Sequence, residues 1–281
     1  MPTIQAHAKI NWALNITGSR DDGYHLMDML MQSIDLADDL TVAPAEGLAL
    51  AVDGAPAGEE NLVLRAAMAL NRFAGTSCGA SMALTKRVPA RAGLGGGSAD
   101  CAAAMIALSA LWGLNIPDKA LLQIGEKLGA DVPFCLTGGL ARVTGIGEHI
   151  HPIDNPPEIP LVLVTPGGGL STAEVFKLWD AGGWPEVHLD NLALADAVCR
   201  RDLAAVDRLC ANALTAPAIS LMPEIGRLMD RMRALGAGAA FMTGSGSTVV
   251  GAFDDPAAAR EAADAIPGAI LTHTLGNGNL A

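Results

Sequence analysis

The chain has 281 residues, 51% of them apolar and 17% charged, and its 30 acidic against 18 basic side chains give a formal charge of −12. That apolar content and dilute charge exclude a disordered chain, and the acidic balance excludes a protein that grips nucleic acid over a broad basic surface. The length suggests two domains, and with 4% aromatic residues and a single tyrosine, Tyr24, their cores must be built from Ala, Leu, Val, Ile and Met.

Residues 3–16 alternate as a strand, with Ala8, Ile10, Trp12, Leu14 and Ile16 on one face and His7, Lys9, Asn11 and Asn15 on the other. Such a strand reads as half-buried with a wet polar face. Because asparagine is poor in strands and recurs here beside a lysine, it reads also as a strand whose polar face meets a ligand. The turn-rich Thr17 to Leu26 follows, and its Tyr24 and His25 rings suit either stacking on a base or packing the loop onto the core. Runs at 34–42 and 80–85 read as strands, while 61–73, 98–112 and 118–128 have helical spacing.

The most informative segment is Pro89, Ala90, Arg91, Ala92, Gly93, Leu94, Gly95, Gly96, Gly97, Ser98 and Ala99, which runs directly into an alanine-rich helix. Its glycines permit positive φ and close approach of backbone N–H groups to a ligand, and the helix behind adds unpaired N–H groups and a positive dipole end. That combination suits a phosphate. The segment lacks the Gly-Lys-Ser/Thr ending of the Walker loop and the glycine spacing of a dinucleotide fold. The alternative is a connector capped by Ser98. Asp131, between Gly129 and Pro133, reads by position alone equally as the cap of a short helix or as a functional acid.

The stretch His151 to Pro160 holds four prolines in ten residues and marks the expected boundary between domains 1–155 and 156–281. Beyond it, Leu161 to Val164 reads as a buried strand, with helices near 171–179, 202–214, 223–234 and 256–265. Ala239 to Thr243 and Thr248 to Phe253 flank a Gly-Ser turn, either an ordinary hairpin or one lying close to the glycine loop. The mixture of elements indicates an α+β class. Five cysteines without a C-x-x-C pair read as reduced core thiols, and neither a signal peptide nor a membrane span is apparent, so a cytoplasmic protein is expected. The sequence shows no metal-ligand cluster, no G-x-S-x-G elbow and no repeat.

Three segments together resemble the GHMP kinase superfamily: Ala8-Lys9-Ile10-Asn11 through Gly23-Tyr24-His25, then Pro89 to Ala99, then Thr243-Gly244-Ser245-Gly246-Ser247-Thr248. Weaker similarity at Gly129 to Phe134 and Pro166 to Thr172 extends the resemblance over nearly the whole chain. It implies a ribosomal S5 domain 2-like N-terminal domain and a ferredoxin-like C-terminal domain. The lysine-asparagine strand with Gly-Tyr-His is most similar to members that phosphorylate the 2-hydroxyl of cytidine-diphosphate-linked methylerythritol in non-mevalonate isoprenoid synthesis.

The resemblance further implies Lys9 as the active-site lysine, Asp131 as the catalytic aspartate, Pro89 to Ala99 as the ATP-phosphate loop, Asn11, Tyr24 and His25 at the cytidine end, and Thr172 as a further substrate contact. ATP with Mg²⁺ is the implied co-substrate, on a monomer or homodimer with small-molecule substrates and neither nucleic acid nor membrane as partner. Trp12, Arg91, Ala99 and Ser247 depart from the usual pattern. A homoserine or mevalonate-type kinase and an inactive nucleotide-binding regulator are the competing readings, and a dinucleotide dehydrogenase fits poorly for want of the glycine spacing and a ribose-binding acid.

Overall fold

A computed structural model describes residues 3–277. The backbone is organised around one very long strand, β2 (His25–Ala45), which pairs antiparallel along one edge with β1 (Thr3–Ser19). Its other edge is divided: β5 (Gly79–Thr85) takes Asp39 to Ala45, and β6 (Leu140–Gly145) takes Met27 to Gln32. β3 (Leu48–Val52), β4 (Ala55–Pro56) and β7 (His149–Ile153) complete this seven-stranded sheet. β7 lies at an edge, where Pro152 costs no ladder hydrogen bond, so a strand enters the proline-rich stretch that the sequence pattern reads as a break.

Four helices belong to this half: α1 (Leu62–Ala74), α2 (Gly96–Leu111), α3 (Asp118–Leu128) and α4 (Val132–Thr137). α2 is the central one. Ala99, Cys101, Ala102, Ala103, Ala104, Met105 and Leu108 are all buried, so beyond its first turn it has little wet face, and its small side chains let it sit deep among its neighbours. It begins at Gly96, two residues before the helical spacing indicates, because glycines that read as loop already take helical geometry.

The second half carries β8 (Pro160–Val164), β9 (Ala239–Met242), β10 (Val249–Ala252) and β11 (Ile270–His273), antiparallel throughout in the order β11-β8-β10-β9. This is the ferredoxin-like order. Its helices are α5 (Thr172–Asp180), α6 (Asn191–Cys199), α7 (Leu203–Leu209), α8 (Thr215–Leu221), α9 (Glu224–Ala234) and α10 (Pro256–Asp264). The helix expected over 202–214 stops at Leu209, because the chain extends at Cys210 and Asn212 bridges to Leu14 of β1.

One apolar cluster runs from beneath α1 and α2 into the second half, where Val162, Ile225 and Met232 belong to it, and a second also joins the halves, with Ile10 and Trp12 from β1 against Leu161, Phe241 and Val250. Trp12 packs on Phe241 with ring centroids 5.2 Å apart, and its indole N–H donates to Gln32 Oε1 at 2.8 Å. Only Cys101 and Cys135 are fully buried; the other three cysteines are half-buried. Burial pushes the Cys101 and Cys210 thiols up to about 12, as inert structural cysteines require.

Candidate active site

A cleft of about 750 Å³ opens between the glycine loop, β1 and the second half of the chain. Arg91, Gly93 and Gly95 have φ of 54°, 76° and 70°, so left-handed residues alternate along the loop, a pattern found where backbone N–H groups converge on an anion. Gly95 is the N-cap residue of α2, and the first turn of a helix has N–H groups without intrahelical partners. Ser98 lies inside this turn and is no cap, since its own N–H bonds to Gly95 O at 3.0 Å. Pro89 through Ser98 line the cleft, whereas Ala99 is buried behind it in α2.

On the polar face of β1, His7 and Asn15 are half-buried, whereas Lys9 and Asn11 are shut off from solvent. Asn11 is 1% exposed and the Lys9 side chain 5%. The Lys9 ammonium donates to Asn11 Oδ1 at 2.7 Å and to Gly93 O at 3.1 Å, and stands 3.4 Å from Asp131 Oδ2. Asp131 occupies the cap position of α4, yet its carboxylate accepts no cap hydrogen bond. It is 31% exposed, lines the cleft and faces Lys9. A buried cation beside a reachable carboxylate can hold that carboxylate as an acceptor while keeping one positive charge next to whatever the loop binds.

The Gly-Ser turn closes on this loop. A Cβ at Gly93 would stand 2.4 Å from Thr243 O, and Thr248 N–H donates to Ala92 O at 3.3 Å. Thr243 Oγ1 accepts from Asn11 N–H at 2.8 Å, which ties the turn to β1 as well. Asn212, which no motif marks, donates to Met242 O and Gly244 O at 3.1 and 2.8 Å and so fixes the turn's entry. Thr172 and Ser245 bond through their hydroxyls at 2.8 Å, bringing the start of α5 to the same place.

Tyr24 and His25 line the far end of the cleft. Tyr24 is 59% exposed, so it is not packing its loop onto the core. His25 stacks on Phe176 at 4.8 Å, meets Trp179 edge-on at 5.5 Å, and its Nε2 lies 2.7 Å from Asp180 Oδ1. Phe176 and Asp180 are missed by motif reading, since one aromatic and one acid on an amphipathic helix carry no pattern of their own. Their faces become meaningful only once α5 is seen over the loop. Lys86 also lines the cleft and is equally unmarked in the sequence.

With this geometry in view, the comparisons with known proteins are specific. The family model for the GHMP kinases N terminal domain matches residues 61–139, and that for the GHMP kinases C terminal matches 194–270. The chain belongs to the GHMP kinase family. It is 43% identical to 4-diphosphocytidyl-2-C-methyl-D-erythritol kinase of Pelotomaculum thermopropionicum, over 93% of this chain and 92% of that one. It is 40% identical to the kinase of the same name from Geobacter metallireducens, over 94% and 93%. A crystal structure of 4-(cytidine 5'-diphospho)-2C-methyl-D-erythritol kinase superposes with a TM-score of 0.84 at 36% identity, covering 98% of this chain and all of that one. Homoserine kinase from Cytophaga hutchinsonii superposes at 0.70 with 18% identity, a likeness of fold alone.

Proposed function

We propose that the chain transfers a phosphoryl group from ATP to the 2-hydroxyl of 4-diphosphocytidyl-2-C-methyl-D-erythritol, giving ADP and the 2-phosphate on the methylerythritol phosphate route to isoprenoid precursors. It is a kinase with an alcohol acceptor, a reading supported by relatives and a solved structure that are named as kinases of this diphosphocytidyl methylerythritol. One observation carries the site assignment: Lys9 and Asp131 meet at 3.4 Å beside the glycine loop, in a cleft whose other end is the aromatic group Tyr24, His25 and Phe176. A homoserine or mevalonate acceptor offers no base for those rings to hold.

Phosphoryl transfer asks the protein mainly for positioning and charge stabilisation. The N–H groups of Gly95, Gly96 and Gly97 and the Ser98 hydroxyl hold the ATP phosphates at the start of α2. Asp131 takes the proton of the attacking hydroxyl, while Lys9 offsets the charge that develops on the transferring group. Asn11, Tyr24, His25 and Thr172 hold the acceptor. Among the described residues no group of three or more His, Cys, Asp or Glu could hold a metal by itself. Mg²⁺ accompanying ATP would be held at the start of α2 by the Asp131 carboxylate and the Ser98 hydroxyl, which both line the cleft, and it would supply positive charge against the phosphates. No helix among the described residues is long and apolar enough to cross a membrane. The reading is of a cytoplasmic monomer or homodimer that handles small molecules, with its two domains divided at residues 155 and 156.

The deciding experiment is ADP release with the cytidylyl alcohol set beside mevalonate and homoserine. Turnover with the first alone is the expected result. Equal or better turnover with either of the others overturns the acceptor assignment.

A further inference from the structure

Lys86 follows β5 and reaches the cleft from beneath the glycine loop. Its ammonium is held by two carboxylates on separate elements: Asp38 Oδ2 on β2, and Asp100 Oδ2 on α2 at 2.6 Å. Asp38 is fully buried and its second oxygen accepts from Arg87 N–H at 2.5 Å and Val88 N–H at 2.8 Å, so the strand end carrying Lys86 is tied down as firmly as the side chain. The ammonium stands 3.6 Å from where a Cβ on Gly96 would be, beside the first turn of α2.

A lysine ammonium has three N–H donors, and two of these are directed at Asp38 and Asp100. Burial lowers the Lys86 pKa, but the charge and hydrogen bonds of Asp100 and Asp38 outweigh it and leave the pKa raised, so the group stays cationic. Asp100 is pushed up to about 7, first by burial, against the pull of Lys86. Its Oδ1 is buried and finds no hydrogen-bond partner among the described residues. As a purely structural device this triad is poor, because it sets two buried carboxylates against one cation and leaves an acceptor unsatisfied. It is well suited to aiming a cation. The two carboxylates fix the direction of the ammonium, and the cleft at the start of α2 is where the third donor has room.

We propose that Lys86 is a nucleotide-binding residue, whose ammonium, clamped between Asp38 and Asp100, donates its remaining hydrogen bond to a phosphate oxygen of the bound nucleotide. This rests on the reading that the glycine loop binds ATP. It adds a second cation to the site on the opposite flank from Lys9 and assigns the two different work, Lys86 gripping the phosphate chain and Lys9 acting at the transferring group. Such a contact, charge-assisted and partly buried, is worth roughly 10–100-fold in affinity.

Calorimetric titration of ADP and of adenosine into the full chain, wild type and Lys86→Met, tests it without an acceptor. The expected result is a loss of roughly 10–100-fold for ADP, with adenosine within about threefold of wild type and, in kinetics, a raised KM for ATP with little change in kcat. ADP affinity that is unchanged, or ADP and adenosine affinities that fall in parallel, overturns the proposal. If Lys86→Met does not fold, Lys86→Gln, whose amide still donates to the carboxylates, reads the same ratio. A different acceptor alcohol would sink the kinase assignment above but leave this ratio intact. A wild type that binds neither ADP nor adenosine would sink both.

Discussion

The two ends of the cleft are built by different means. At the phosphate end, main chain meets main chain: Lys9 N–H donates to Leu94 O at 3.0 Å, Thr248 N–H to Ala92 O and Leu170 N–H to Arg91 O, both at 3.3 Å. Segments far apart in sequence are thereby locked around one loop. At the acceptor end, Tyr24 precedes β2 and His25 begins it, and the His25 contacts to α5 are made by side chains, through Phe176, Trp179 and Asp180. The contrast fits a division of labour. Stabilising developing charge requires donors that need not reorganise, whereas selecting an acceptor requires rings that can open and close on it.

The largest effects should follow from the charged pair at the fixed end. Asp131→Asn removes the proton acceptor but keeps the shape, so turnover should fall by roughly 10²–10⁴-fold while ADP binding persists. Lys9→Ala should lower turnover more than it weakens ATP binding. Single-turnover rates set beside nucleotide titrations check both. An Asp131→Asn enzyme with most of its turnover would return Asp131 to the role of a helix cap.

Next in size is the seam between loop and turn. Gly93 has φ of +76° and its missing Cβ is what lets Thr243 O approach, so Gly93→Ala combines a left-handed strain with a clash against backbone. The expected cost is about 1–3 kcal/mol of stability, read as a lowered Tm, together with a raised KM for ATP and an unaltered KM for the acceptor. An unchanged Tm would show that the phosphate end yields as easily as the other, and the comparison would fail.

These two regions were also unequally legible in the sequence. The glycine loop and the Lys9 strand follow from local rules, because positive φ, helix starts and strand alternation are written in neighbouring residues. β3, β4, β6, β7 and β11 carry no local signal, being short strands whose pattern is completed only by distant partners. The truncated α7 has the same cause: Asn212 leaves the helix to hold the Met242 and Gly244 carbonyls, a tertiary demand that overrides helical spacing. Phe176 and Lys86 reach the cleft, and Asp180 reaches His25, from elements whose placement no local signal encodes. The polar face of β1 shows the converse. Its two readings, solvent or ligand, could not be separated until Asn11 and Lys9 proved buried.

At the acceptor end the effects should be smaller and confined to one substrate. His25→Ala removes a ring stacked on Phe176 and the partner of Asp180, and should raise the KM for the cytidylyl alcohol roughly tenfold with the KM for ATP unchanged. Initial-rate measurements varying each substrate in turn separate the two. A matching rise in the KM for ATP would mean that the Gly-Tyr-His turn supports the whole cleft.

Thr172 lies where the two ends join, since its hydroxyl bonds to Ser245 of the turn that packs on the phosphate loop, while α5 behind it carries Phe176 and Asp180 to His25. Thr172→Val keeps the volume and the helix start but removes that one neutral hydrogen bond, which is half-buried and worth little by itself. If the acceptor end is the movable part, losing the bond frees α5 and leaves the loop where it is. The KM for the acceptor should then rise roughly two- to fivefold, with Tm and the KM for ATP within error of wild type. A raised KM for ATP instead would mean that Ser245, released from Thr172, no longer keeps its turn against Gly93. The fixed end of the cleft would then depend on α5, and the boundary between the two regions would have to be moved to include it.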